Sequence, residues 1–250
     1  KRFAGDLNGG KFDVVHRVTP MSPTLPSPLA RWSPVPFVLG PLNGGLRWPA
    51  AYYGELRRER EWMTYLRSAY RLAPYYRSTY FRAAAILAGF DHTVRDLPRG
   101  CRRRTIDFPE VGFDPATFHP PVERPARDSL RILFTGRLVP LKCVDVLIEA
   151  FAKDESLRRH RLWIVGEGPD RPMLEQLVRD RGLGDCIEFL GWRTQSQVAE
   201  VMRQADIFAF PSIRELGAGG VGEGMACGLP CGGVDYGGPG GVGPARGGGG

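Results

Sequence analysis

The chain has 250 residues, 34 basic side chains against 27 acidic ones, and 42% hydrophobic residues, enough material for one or two packed cores. This composition excludes a small disulfide-stapled scaffold and a wholly disordered chain. No stretch reaches the roughly 18 to 20 uninterrupted apolar residues of a membrane-spanning helix. The N-terminus lacks an apolar segment followed by a small-residue cleavage site, so an exported precursor is not expected.

The net charge of +7 is unevenly placed. Residues 1–120 hold 18 basic and 10 acidic side chains, whereas residues 121–250 hold 16 and 17. Such asymmetry points to two units with different partners. The first half carries strand-like runs at Phe12–His16, Phe37–Leu39, Ala84–Ala88 and Thr105–Phe108 around a long helical pattern from about Ala51 to Ala85. In that pattern arginines such as Arg57, Arg67 and Arg77 alternate with Tyr65, Tyr70, Tyr76 and Tyr80. A basic, aromatic helix permits peripheral contact with an anionic membrane, and the competing expectation is that its aromatics face their own domain. No nucleic-acid module accompanies the basic residues, Arg102–Arg104 included, so a nucleic-acid partner is not expected.

Pro109, Pro115, Pro120, Pro121 and Pro125 cannot continue a helix or a central strand and mark a linker. The expected domains are therefore 1–120 and 121–250. Beyond the linker, strands at Arg131–Thr135, Arg161–Val165, Ile187–Leu190 and Ile207–Phe210 alternate with helices at Val144–Ala152, Met173–Arg181 and Gln197–Gln204. This alternation specifies right-handed crossovers and a doubly wound parallel sheet. The five cysteines are odd in number and scattered, with no Cys-x-x-Cys pair, which reads as reduced thiols in a cytoplasmic protein without a zinc site.

In open parallel sheets ligands sit beyond the carboxyl ends of the strands. After the first strand of the second half comes Gly136-Arg137-Leu138-Val139-Pro140-Leu141-Lys142, where a glycine and two cations suit a diphosphate without a metal. Gly166-Glu167-Gly168-Pro169 makes a tight turn after the next strand, and Gly191-Trp192 offers backbone groups and a ring face to a base. The fourth segment carries Glu215 and Glu223 on either side of a glycine-rich turn containing Gly219, Gly220 and Val221. This turn opens a helix whose free amides and dipole favour an anion. Two carboxylates beside a phosphate-binding turn suit a sugar joined to a diphosphate.

The segments FTGRLVPLKCVDVLIEAF, LWIVGEGPDRPMLEQL, IEFLGW, ADIFAFPSIRELGAGGVGEGMACGLP and VDYGGPG resemble the donor-binding domain of family-four retaining glycosyltransferases (group 1). FDVVHRVTP, PFVLGPLNGG, STYFRAAAILAG and FPEVGFDPATFHP are similar to the later part of the acceptor domain. The resemblance implies an α/β fold of two Rossmann-like doubly wound domains facing across a cleft (the B-type glycosyltransferase fold), with the N-terminal domain incomplete and the C-terminal end truncated. It implies transfer from a nucleotide diphosphate sugar to a hydroxyl of a glycan, lipid-linked or small-molecule acceptor, with retention, in polysaccharide or glycolipid assembly.

Carried over by position, Arg137 and Lys142 neutralise the diphosphate, Glu215 holds donor-sugar hydroxyls, Glu223 binds the ribose, and Gly136, Gly166, Gly191, Trp192, Gly219, Gly220 and Val221 line the donor. His16 lies near the reacting sugar, and Gly44 and Gly45 form a turn on the acceptor side. No cofactor is implied, and the chain has no Asp-x-Asp metal-ligand pair. The alternative expectation is a truncated binding module that holds nucleotide sugar or a membrane surface without turnover. The chain departs from the family pattern at Gly222, Gly224, Gly232, Gly233 and Gly241; each glycine in a helix costs about 1 kcal/mol relative to alanine, so the phosphate-binding helix is expected to be loosened.

Overall fold

A computed structural model describes residues 4–46, 69–108, 110–215 and 217–234. They divide into two compact units, one drawn from residues up to 110 and the other from residue 111 onward. The division falls within the proline-rich stretch, and Phe118, on the N-terminal side of the expected domain boundary, is buried in the second unit's core.

The first unit opens with α1 (Ala4–Asn8) and contains a four-stranded parallel sheet in the order β1 (Val15–Arg17), β2 (Phe37–Leu42), β3 (Ala85–Ala88), β4 (Thr105–Asp107). Short helices α2 (Leu29–Trp32), α3 (Tyr76–Phe81) and α4 (Asp91–Asp96) complete it. Phe37, Leu39, Leu42 and Ile86 supply the buried face of the sheet, and Tyr76 and Tyr80 pack edge-to-face with centroids 4.9 Å apart.

The expected helix over 51–85 falls largely on residues 47–68, outside the described residues. Its described end is broken into a 3-10 turn (Ala69–Leu72) and α3. Pro74 cannot extend a helix from the preceding turn, and Tyr75 adopts φ 68°, a left-handed conformation that stops helical propagation. The aromatics Tyr76 and Tyr80 turn into their own core rather than outward.

The second unit contains a five-stranded parallel sheet, β5 (Arg131–Thr135), β6 (Arg161–Val165), β7 (Ile187–Gly191), β8 (Ile207–Phe210) and β9 (Cys231–Gly233), in the order β7-β6-β5-β8-β9. Helices α5 (Val144–Lys153), α6 (Arg171–Asp180), α7 (Gln195–Gln204) and α8 (Gly219–Ala226) connect the strands. Leu133, Phe134, Leu162, Ile164 and Phe208 are fully buried, as expected where helices cover both faces of a parallel sheet. A capping box fixes the start of α7: Thr194 accepts from the Gln197 amide while the Gln197 side chain accepts from the Thr194 amide. Arg124 ties the strand approach together by donating to the carbonyls of Ala205 (2.8 Å) and Cys227 (3.0 Å).

The chain leaves β5 for β6 and β7 on one side, then returns past β5 to β8 and β9 on the other. The carboxyl ends of β5 and β8 are therefore neighbours at the point where strand order reverses, the place where an open α/β sheet forms its crevice. Among the described residues, no helix is long and apolar enough to cross a membrane.

Candidate functional site

The loop after β5 is positioned by backbone. Gly136 donates to the Val165 carbonyl (3.0 Å), Leu138 to the Glu167 carbonyl (3.0 Å), and Asp170 donates back to the Leu138 carbonyl (3.1 Å). Two glycines make this approach feasible. A Cβ on Gly166, at φ 133°, would lie 1.9 Å from the Gly136 oxygen, and one on Gly168 would lie 2.2 Å from the Leu138 oxygen. Gly166 and Gly168 thus let one loop lie against another, a role in packing that the bare Gly-x-Gly pattern does not reveal.

Lys142 leaves this loop and pairs with the Glu215 carboxylate, which follows β8; both side chains are largely shielded. The Lys142 ammonium also sits 4.8 Å from the Phe210 ring centroid, over the last residue of β8. Ser212 bonds to Glu215 (3.2 Å) and to the Leu141 carbonyl (3.2 Å), and the Ile213 amide donates to the same carbonyl (3.1 Å). Ser212, buried and central, is a site residue that sequence reasoning left without a role; its signal was its place between the last residues of β8 and Glu215.

The N-terminus of α8 enters the same neighbourhood. A Cβ on Gly220 would sit 3.5 Å from the Thr135 hydroxyl at the end of β5, and one on Gly136 would sit 3.8 Å from Lys142 Cε. The Val221 amide is spent on the Ala218 carbonyl (2.8 Å) and its side chain is buried, whereas the amides of Gly219 and Gly220 carry no hydrogen bond among the described residues. The structure thus brings Gly136, Lys142, Ser212, Glu215, Gly219 and Gly220 together at the β5–β8 reversal.

Arg137 is exposed and forms no ion pair among the described residues. Gly191, at φ 70°, and Trp192, 66% exposed, lie at the end of β7, two strands from β5. There a Cβ on Gly191 would meet Glu167 Oε1 at 3.3 Å, and Glu167 is paired with Arg171.

Glu223 stands one turn into α8, half-buried and without a hydrogen-bond or ion-pair partner among the described residues. Burial alone holds its carboxyl above the ordinary value of 4.5. Because the folded state binds this proton more tightly than the unfolded chain, the ionised carboxylate subtracts stability at neutral pH, and the loss disappears as pH falls below the unfolded value. Glu223→Gln is therefore expected to raise the melting temperature at pH 7 and to leave it unchanged near pH 3.5, as followed by thermal unfolding across pH. An equal effect at both values would mean that the charge is not responsible.

The helix α8 forms despite its glycines. Gly224 is buried against β8 and β9, where a Cβ would approach Phe208 at 3.2 Å and the Cys231 sulfur at 3.3 Å. A Cβ on Gly233 would meet the Phe210 carbonyl at 2.6 Å, whereas one on Gly232 would meet nothing within 4 Å. Burial raises the thiol of Cys227 and pushes that of Cys231 up to about 11, so both are neutral thiols at physiological pH.

In the first unit His16 lies in the middle of β1, not at the strand end that the sequence suggested, and its ring Nε2 donates to the Gly40 carbonyl (2.7 Å). A carbonyl only accepts, so the proton sits on Nε2, and in the neutral ring Nδ1 remains an acceptor. Gly44 (φ 137°) and Gly45 (φ 82°) shape the turn after β2, where Thr93 donates to the Gly44 carbonyl (2.8 Å). Beside them Asn43 donates to Glu110 (2.8 Å), leaving Asn43 Oδ1 and Glu110 Oε1 buried and unpaired. Neither residue had a sequence signal beyond its proximity to the glycine turn and the linker.

The family model for glycosyl transferases group 1 matches residues 117–242. The chain belongs to this family. Among curated relatives of this glycosyltransferase chain, a D-inositol 3-phosphate glycosyltransferase from Stackebrandtia nassauensis is 36% identical over 136 residues, covering 48% of this chain and 31% of the relative. The chain spans about a third of the length of the curated relatives it matches.

Among solved structures, Anabaena HepE in complex with UDP is similar with a TM-score of 0.68 at 17% identity, covering 95% of this chain and 64% of that one. A sucrose-phosphate synthase from Thermosynechococcus elongatus gives a TM-score of 0.68 at 19% identity, with 94% and 59% covered. At these identities the likeness shows the fold, that of the B-type glycosyltransferases.

Proposed function

We propose that this group 1 glycosyltransferase moves a sugar from a nucleotide diphosphate sugar to an acceptor hydroxyl with retention at the anomeric carbon, without a metal ion. The observation that carries this reading is the Lys142–Glu215 pair at the neighbouring ends of β5 and β8, beside the amides of Gly219 and Gly220, which carry no hydrogen bond among the described residues. The UDP in the HepE complex supports a nucleotide donor.

In this reading the diphosphate enters between the pair. Lys142, Arg137 and the α8 amides then face phosphate oxygens, and Glu215 turns to accept from sugar hydroxyls. As the bond from anomeric carbon to phosphate oxygen breaks, negative charge grows on the diphosphate, where these preorganised donors stabilise it. The bond to the acceptor oxygen forms, and the hydroxyl proton is released. Glu223 would accept from the ribose hydroxyls, which supply the donors its carboxylate lacks, and Trp192 and Gly191 would flank the base. The first unit would hold the acceptor, with His16 and the turn at Gly44 and Gly45 as its candidate contacts.

The test is a thermal-shift series with UDP, GDP, ADP and their sugars, since a ligand that binds only the folded state raises apparent stability. Selective stabilisation by one nucleotide diphosphate, and transfer from its sugar that survives chelation by EDTA, are the expected results. Absence of stabilisation by every nucleotide diphosphate would overturn the donor site; stabilisation without turnover on any acceptor would leave a binding module.

A further inference from the structure

The first unit contains a cavity of about 490 Å³ built from the 3-10 turn before α3, from α3 itself, from the end of α4 and from the turn at Arg99–Arg104. This volume lies within the range of small-molecule sites. Among the described residues five arginines line it, Arg71, Arg77, Arg95, Arg99 and Arg102, and the one acidic lining residue is Asp96.

The charges are not balanced within the cavity. Asp96 is spent on Arg71 (2.8 Å) and on the Tyr70 hydroxyl (3.3 Å). Arg102 donates to the carbonyls of Arg95 and Leu97 at the end of α4, a helix terminus that favours a cation, so it has a structural reason to be there. The other three do not. Arg77 is held over the exposed Phe81 ring, 5.9 Å from its centroid, which keeps its charge intact. Arg95 has one carboxylate within reach, Asp91 at 3.9 Å, in a pair that is 78% and 93% exposed and worth little in water. Arg99 has no ion-pair partner among the described residues.

Several arginines lining one hollow repel one another unless an anion joins them. Guanidinium matches phosphate oxygens through paired N–H donors. With Arg77 and Arg99 lacking an ion-pair partner among the described residues and Arg95 in one exposed pair, a single monoanion would not complete the site.

We propose that this cavity binds a ligand carrying two or more phosphate groups, held by Arg77, Arg95 and Arg99, at a place separate in the chain from the donor residues of the second unit. The proposal does not depend on the donor reading, because every lining residue lies between 71 and 102.

Inorganic pyrophosphate, titrated calorimetrically into Lys142→Ala, in which the donor site is disabled, is the probe. Binding is expected to persist there, and adding Arg77→Gln with Arg99→Gln is expected to weaken it at least tenfold. The pair Arg95→Gln with Arg99→Gln should act alike, and melting temperatures equal to the parent protein's exclude local unfolding as the cause.

Vesicles containing cardiolipin, whose headgroup carries two phosphates, identify the source of the phosphates. Retention that pyrophosphate competes away and that both variants lose supports the site with a lipid headgroup as ligand. Pyrophosphate binding without vesicle retention supports it with a free phosphate compound. Failure of pyrophosphate to bind Lys142→Ala, or binding unchanged by both arginine pairs, overturns the proposal; loss of sugar transfer in Lys142→Ala speaks to the donor site alone.

Discussion

Replacing Lys142 by alanine is expected to lower the rate of sugar transfer by roughly 100- to 1000-fold, the usual consequence of removing one preorganised donor to a developing negative charge. Lys142 is the cation that the loop after β5 delivers to the end of β8, where it pairs with Glu215 and covers Phe210. Its side chain is only 15% exposed, so its field would act on a bound diphosphate with little screening. Lys142→Arg keeps the charge but enlarges the head, and should retain a measurable part of the rate. Glu215→Gln removes the partner and the acceptor of sugar hydroxyls, and transfer should fall at least as far. Steady-state rates with a saturating donor provide the reading; activity of Lys142→Ala within about threefold of the parent protein would remove the cation from the reaction.

The second large effect is on stability. Gly166→Ala would place a methyl group 1.9 Å from the Gly136 carbonyl oxygen, in a backbone at φ 133° that side chains rarely adopt. Backbone strain and forced displacement of a packed loop together cost about 4 kcal/mol. For a protein of this size that lowers the melting temperature by roughly 8 to 16 °C. Gly184→Ala is the internal control, because its added Cβ meets nothing within 4 Å, and its melting temperature should match the parent protein's. A Gly166→Ala protein that melts with the control would show that the two loops do not lie against each other.

The two halves of the chain were unequally legible. In the second unit the runs Arg131–Thr135, Arg161–Val165 and Ile207–Phe210 form strands with the bounds their sequences suggested. Parallel strands buried on both faces are short, continuous apolar runs, and the helices between them carry a one-sided apolar pattern, so period and length agree. The first unit lacks that agreement. Its β1 starts at Val15 rather than Phe12, and β2 continues through Gly40 and Pro41 to Leu42, residues that ordinarily end a strand. Within the described end of the long helical pattern, from Ala69 on, periodicity does not register a single left-handed residue such as Tyr75.

For the site, strand-end logic directed attention to Lys142, Glu215, Gly219 and Gly220, since each follows directly on a strand or opens a helix. It could not show that Val221 commits its amide to Ala218, or that Gly166 serves a loop contact. Nor could it find the arginine-lined cavity. Arg71, Arg77, Arg95 and Arg99 come from separate short elements, and their convergence is a property of the folded backbone.

The reversal of strand order also sets when the pocket can come into being during synthesis. The sheet is laid down outward from β5 through β6 to β7, and only afterwards does the chain come back to add β8 beside β5. Lys142 therefore emerges from the ribosome long before Glu215, and a nascent chain displaying three paired strands still lacks the opposite wall. On the proposed donor reading, nucleotide capture would switch on late, when the returning segment docks, so a partly translated chain would not sequester donor.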